Sequence, residues 1–331
     1  MNVALAAVFA AAAAIPLAAQ APDAQQPAQT QAPIFRSGAA LVALNVTVQD
    51  AGAHFVTGLQ PDDFAVYEDG VKQNVRFFES ASVPVDLIVL IDTSASMSDK
   101  MDVVHEAAAG FLKRLRPGDR GAVVSFADTV SVLQPLTIDG VLLDQAVRAT
   151  AAHGSTALNN AVYIALKQFG RSARLDTDVR RQAVVVLSDG EDTSSLVSFD
   201  DVLMLARRMG VNIYTVALQS RYAAQQIAAA SGHRYFSESD YSMKTLARET
   251  GAQSFFPAPS ELKAVYGAIA AELASQYSIG YVPANGRPDG RFRRVVVQVV
   301  TRPDLRPRTR PGYTADGGAS AAAHSTSLPQ Q

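Results

Sequence analysis

Residues 85–98 read VDLIVLIDTSASMS, and the fold turns on this stretch. Leu87 to Ile91 has no polar break. Such a run reads as a strand buried on both faces, the habit of parallel sheets covered by helices. It stops abruptly at Asp92, and Ser94 and Ser96 follow at alternate positions. Ligand sites of such sheets lie beyond the carboxyl ends of the strands. The three residues are therefore expected on one loop at that edge, facing one point. Three hard oxygen donors at one point suit a hard divalent cation such as Mg²⁺.

Downstream, apolar runs alternate with segments of helical period. Asp99 to Leu115 repeats Met101, Val104, Ala108, Phe111, Leu112 and Leu115 at helical spacing, and Pro117-Gly118-Asp119 ends it. Gly121 to Phe126 is a short apolar strand and Val130 to Pro135 an edge strand. Helices follow over Asp139 to Thr150 and Ala157 to Phe169, the second preceded by the loop His153-Gly154-Ser155-Thr156. Ala183 to Leu187 is a buried strand running into Ser188-Asp189-Gly190. The pattern continues with a helix over Phe199 to Met209, a strand over Val211 to Leu218, a helix over Met243 to Thr250 and a short strand over Gln253 to Phe256. Ser260 is placed to cap a last helix that reaches Ser275. Strands alternating with helices predict a doubly wound, mostly parallel α/β sheet of Rossmann-like form over residues 83–275.

Both flanks are β-like. Leu44, Val46 and Val48 alternate with Asn45, Thr47 and Gln49, and Asp69-Gly70 joins two more runs, Asp63 to Tyr67 and Val71 to Phe78, as a hairpin. After the last helix, Tyr277 to Val282 and Phe292 to Val300 are strands around the turn-rich loop Pro283 to Gly290. Each flank is too short for a core of its own. Residues 37–82 and 276–313 are therefore expected to pair into one β module from which the chain departs and to which it returns.

The ends differ in composition. Val3 to Ala19 is an Ala-rich apolar run followed by Ala19-Gln20-Ala21, the A-x-A pattern of signal peptidase sites. Residues 1–21 thus read as a signal peptide, cleaved or retained as an anchor, with a secreted or periplasmic destination and no transmembrane span in the mature chain. Residues 22–36, rich in Gln, Pro and Ala, read as a linker, and 314–331 as a disordered tail. The 331 residues are 48% hydrophobic and 18% charged, with a formal net charge of −2, so nothing points to nucleic acid. Cys is absent, which excludes thiolate metal sites and cysteine nucleophiles.

Three strand-end loops carry oxygen ligands in order: Asp92, Ser94 and Ser96; then Thr156 before a helix; then Asp189 after a buried strand. With Asp92-Thr93-Ser94-Ala95-Ser96, Thr156 and Asp189, the chain resembles von Willebrand factor A-type domains, whose metal-ion-dependent adhesion site has this form. It is more narrowly similar to a secreted bacterial VWFA-related subgroup through Gly58-Leu59, Asp63-Phe64, Tyr67-Glu68-Asp69-Gly70 and Gly312-Tyr313. The likeness spans roughly Leu41 to Tyr313, with Ala95 where the family often has Gly. It implies that the serines and threonine touch Mg²⁺ (or Mn²⁺) or its waters while the aspartates act largely through water. A cation with mostly neutral ligands accepts an Asp or Glu carboxylate from a partner protein. That implies a non-enzymatic adhesion or assembly module. The plainer alternative is that Asp92 and Asp189 only cap helices or turns. A metal-dependent hydrolase, or a subunit whose metal only stabilises the fold, are further alternatives, although no general base stands out.

Other candidates are weaker. His54, His105, His153, His233 and His324 form no i, i+4 pair, and only His153 lies near the second loop. Glu191 and Asp192 read as a solvated acidic loop, and Arg287 to Arg294 as an exposed strand face. No G-x-S-x-G, P-loop or G-x-G-x-x-G occurs.

Overall fold

A computed structural model describes residues 41–80, 83–172, 180–189, 191–218 and 237–315. The expected signal peptide, the linker and all but Thr314 and Ala315 of the tail lie outside them.

The opening stretch forms β5 (Val85–Asp92), with all eight residues buried. Strand geometry sends alternate side chains to opposite faces. Leu87, Val89 and Ile91 join the core with α1 (Met101–Leu112), α2 (Gly140–Arg148) and α6 (Leu262–Ser275). Ile88 and Leu90 join the other core with α3 (Leu158–Ser172), α4 (Phe199–Met209) and α5 (Glu238–Glu249). The strand pairs in parallel with β6 (Arg120–Phe126) on one side and β8 (Arg181–Ser188) on the other. Beyond β8 lie β9 (Asn212–Ala217) and β10 (Ser254–Phe255), both parallel, and beyond β6 lies the antiparallel edge strand β7 (Val130–Thr137). The sheet order β10-β9-β8-β5-β6-β7 reverses direction at β5. The crevice outside the carboxyl ends of β5 and β8 is therefore the topological switch point.

Helix ends differ from expectation in two places. Helix α5 starts five residues before Met243, because Ser237 and Asp240 form a reciprocal capping box. Ser260 caps nothing. It lies inside a 3₁₀ turn, Pro259–Glu261, and the Glu261 carboxylate closes that turn by accepting from the Ala258 amide.

The two flanks interleave. One four-stranded sheet has the order β13-β1-β11-β4, from Arg306–Arg308, Val42–Gln49, Tyr277–Tyr281 and Val75–Ser80. The other is β14-β12-β2-β3, from Gly312–Thr314, Phe292–Val299, Phe64–Glu68 and Val71–Gln73. Strand β1 pairs with β11 from Val42↔Tyr281 to Val46↔Tyr277, and β2 with β12 from Glu68↔Val295 to Phe64↔Val299. Leu44, Val46, Phe64, Val66, Tyr277, Ile279, Val295 and Val297 bury one core between the sheets. The expected α/β sheet with a β module built from both flanks is the architecture found.

Details of the module correct the sequence reading. The run Val71 to Phe78 is not one strand: it breaks at Asn74, β3 stays with β2, and β4 crosses to the opposite sheet against β11. Strands that switch sheets make the corners of such sandwiches. The turn at Asp69-Gly70 has positive φ at both residues, as a tight hairpin requires. Arg306–Arg308 is a strand that no alternation announced, and Thr314 ends β14 rather than starting a tail. Among the arginines expected on an exposed face, Arg293 is buried and ion-paired to Asp289 at 2.8 Å.

A buried polar network joins module and α/β sheet. Glu272 of α6 is 1% exposed. Its carboxylate accepts from the hydroxyls of Tyr214 (2.7 Å) and Thr47 (3.2 Å) and pairs with the Arg308 guanidinium. Burial, then the nearby Glu272, pushes the Tyr214 hydroxyl well above its usual range. Arg181 is buried beside the end of the same helix and donates to the carbonyls of Leu273 and Val83. Burial pulls its pKa down to about 10. Glu272→Ala strands the Tyr214 and Arg308 donors. It is expected to lower unfolding free energy by roughly 2–4 kcal/mol, at or below the range for breaking a buried pair because Arg308 keeps some water. Urea denaturation reads the loss, and Glu272→Gln loses less.

Candidate metal centre

Asp92 ends β5 with no exposed surface. One carboxylate oxygen accepts from the Ser94 amide (2.8 Å), the other from the Ser188 hydroxyl (2.5 Å). Burial raises its pKa against the pull of these bonds, and the charge of Asp189 adds to the rise. Asp86, six residues earlier on the same strand, is as deeply buried but is matched by the guanidiniums of Arg120 (2.6 Å) and Arg180 (2.7 Å). No Lys or Arg side chain among the described residues bonds to Asp92. A buried carboxylate held by one hydroxyl and one amide is a natural partner for a cation.

After Asp92 the chain makes a 3₁₀ turn, Ala95–Met97, anchored by the fully buried Met97. This turn brings the Ser94 and Ser96 hydroxyls to 3.1 Å. Ser96 then donates to Asp189 Oδ1 at 2.7 Å, across from the end of β8. Asp92, Ser94, Ser96 and Asp189 thus form one string of direct hydrogen bonds, open to solvent at Ser96.

The second loop is brought to this string through its backbone. The Ala95 amide donates to the Gly154 carbonyl (3.0 Å) and the His153 amide to the Thr93 carbonyl (2.6 Å). Thr156 is buried. Its amide donates to the Thr193 hydroxyl, and its carbonyl accepts from the amides of Thr193 and Ser194. The loop is held from below by Asp128, whose Oδ1 accepts from the amide and the hydroxyl of Ser155, both at 2.5 Å. Those bonds keep the Asp128 carboxyl below the usual range. Gly154 has φ +68°, and a Cβ there would sit 2.5 Å from the Asp128 carboxylate.

Three residues of the site were not singled out from sequence: Ser188, Asp128 and Lys100. Ser188 was hidden beside the more conspicuous Asp189. Asp128 lies on a strand-end loop whose partner, Ser155, is 27 positions away. Lys100 is 5% exposed, and its ammonium donates to Asp189 Oδ2 (2.5 Å) and the Ser96 carbonyl (2.7 Å). Its position four residues after Ser96 was the available signal. Asp192, expected to be solvated, instead accepts from the Asn159 amide at the start of α3 and from the Ser195 amide. His153 is exposed at the rim, its ring near the Ala151 carbonyl.

The donor set fits a small hard cation. Adjacent ligands of octahedral Mg²⁺ stand about 2.9 Å apart for metal–oxygen distances of about 2.0–2.1 Å. The Ser94 and Ser96 hydroxyls, 3.1 Å apart, have that spacing. No group of three or more His, Cys, Asp or Glu able to hold a metal occurs among the described residues. The site is correspondingly rich in hydroxyls and poor in carboxylates, which suits an ion that keeps several waters.

The family model of the von Willebrand factor type A domain matches residues 86–249. Residues 86–249 thus form a von Willebrand factor type A domain, and the switch-point loops above lie within it. An uncharacterised protein of Borreliella burgdorferi is 29% identical over 150 residues, 42% of each chain, so the chain spans about two fifths of that relative's length. Among solved structures, a von Willebrand factor type A protein from Catenulispora acidiphila is similar with a TM-score of 0.49 at 14% identity, covering 85% of this chain and 65% of that one. The corresponding domain of the type V pili tip protein Mfa5 from Porphyromonas gingivalis gives 0.43 at 15%, covering 57% and 94%.

Two substitutions test the geometry. Gly154→Ala meets both the Asp128 carboxylate and a left-handed backbone, and is expected to cost about 1–3 kcal/mol in a denaturant titration. Asp92→Asn keeps the shape and removes a buried charge. In the presence of chelator it is expected to melt above the unsubstituted protein, by about 2–4 °C per kcal/mol relieved. Calorimetry showing a lower melting temperature contradicts the charge argument.

Proposed function

We propose that this chain is an extracytoplasmic protein-binding module, of adhesion or assembly type. It docks an Asp or Glu carboxylate of a partner protein through Mg²⁺ or Mn²⁺ held by Asp92, Ser94, Ser96, Thr156 and Asp189. The observation that carries this reading is Asp92: a wholly buried carboxylate, bonded to one hydroxyl and one amide, at the edge where the sheet reverses. The bound ion would supply a Lewis acid with a position for an outside oxygen. Ser94, Ser96 and Thr156 would give it neutral oxygens, and Asp92 and Asp189 would hold its waters.

The structure of the loops supports this division of labour. Asp92 is too deep to meet a partner, whereas Ser96 is exposed and marks the side a carboxylate would approach. The destination outside the cytoplasm rests on the A-x-A pattern at Ala19-Gln20-Ala21 and on likeness to the secreted bacterial subgroup. No described helix is long and apolar enough to cross a membrane.

The test has two arms. Mg²⁺ at about 100 times its Kd is expected to stabilise the protein by about 2.7 kcal/mol, read as a rise in Tm. Asp92→Ala is expected to abolish that rise. In a pull-down from the parent cell envelope, partners are expected with Mg²⁺, to be released by chelator, and to be absent with Asp92→Ala. Capture of the same partners by the variant sinks the docking reading, and an unchanged Tm sinks metal binding itself.

A further inference from the structure

Lys100 stands where helix physics does not favour it. It occupies the N-cap of α1 (Met101–Leu112) and makes no capping hydrogen bond. A cation at a helix N-terminus opposes the helix dipole. The side chain is also nearly buried, 6% exposed, and an ammonium out of water is costly unless it is paired. Both penalties are met in one place. The ammonium donates to Asp189 Oδ2 at 2.5 Å and to the Ser96 carbonyl at 2.7 Å, and lies 3.4 Å from Asp99 Oδ1. The Asp189 side chain has no exposed surface, and its other oxygen is taken by the Ser96 hydroxyl. Both oxygens of one candidate ligand are therefore engaged, one of them by a fixed positive charge.

We infer that Lys100 is a tethered cation built into the candidate metal centre, competing with a divalent ion for Asp189 and setting the affinity of the site low. The inference rests on the metal-site reading above. Lys100 neutralises Asp189 without any ion, which lets two acidic strand ends share one edge of the sheet. A divalent ion bound among Ser94, Ser96 and Asp189 would have this ammonium as a neighbour. It must take Asp189 away from Lys100 or bear the repulsion of a like charge. An incoming carboxylate relieves that repulsion, so Lys100 makes ion and partner bind as a mutually reinforcing pair. The two aspartates alone would hold the ion more tightly and depend less on the partner.

The experiment is calorimetric titration of the full chain, first stripped with chelator, with MgCl₂ and with MnCl₂. Lys100→Met keeps the apolar stem and removes the charge. Lys100→Gln also removes the charge while keeping an N–H for the Ser96 carbonyl, and serves if the Met variant folds poorly. Either variant is expected to bind Mg²⁺ at least about tenfold more tightly than the unsubstituted protein, equivalent to about 1.4 kcal/mol of competition. In chelator both are expected to melt lower, because Asp189 loses its partner, and to recover more on adding Mg²⁺. Equal or weaker binding by the variants overturns the inference: Lys100 would then be a fold clamp, or would hold Asp189 in place for the metal. If the unsubstituted protein and both variants, folded by circular dichroism, take up neither ion, the metal-site reading itself fails.

Discussion

A strand buried on both faces cannot end politely: its last carboxylate is drawn out of water with it. Asp92 inherits its burial from Leu87 to Ile91, which must be covered by helices above and below. The loops that follow satisfy it with what they have, the Ser94 amide and the Ser188 hydroxyl. Met97 pins the first loop into the helical layer, and backbone bonds dock the Gly154 loop against Ala95 and Thr93. The hydroxyl-rich edge is thus a consequence of how one buried strand terminates.

The same sheet is managed differently at its other end. There Asp86 meets two guanidiniums, so its charge is settled inside the fold. Among the described residues, the carboxyl end brings no cationic side chain to Asp92 and pairs Asp189 with Lys100. One end of β5 is a structural ion cluster and the other a candidate ion site, although both begin from a buried aspartate.

The β module acts on the α/β sheet through α6. Glu272 and Gln276 reach Tyr214, Thr47 and Arg308, and Arg181 holds the carbonyl of Leu273. The last helix of the α/β domain is therefore tied at its carboxyl end to strands from both flanks. Sliding that helix would break hydrogen bonds to the buried hydroxyls of Tyr214 and Thr47.

Periodicity and strand-end chemistry made much of this legible in the chain itself. The unbroken run into Asp92, the alternation of strands and helices, and the hairpin at Asp69-Gly70 are local signals, each dictated by side-chain pattern or backbone freedom. They determined an α/β sheet, its β flanks, and the residues Asp92, Ser94, Ser96, Thr156 and Asp189 as candidates. Partners distant in sequence were decided only by tertiary structure. That Asn74 breaks a strand depends on the waiting edge of β11; that Arg306–Arg308 is a strand depends on β1 beside it. That Asp128 holds Ser155, and that Lys100 turns back onto Asp189 rather than into solvent, depends on loops meeting after the sheet has closed. Local sequence specifies which faces must be buried; which charge meets which follows only when burial has brought the strand ends together.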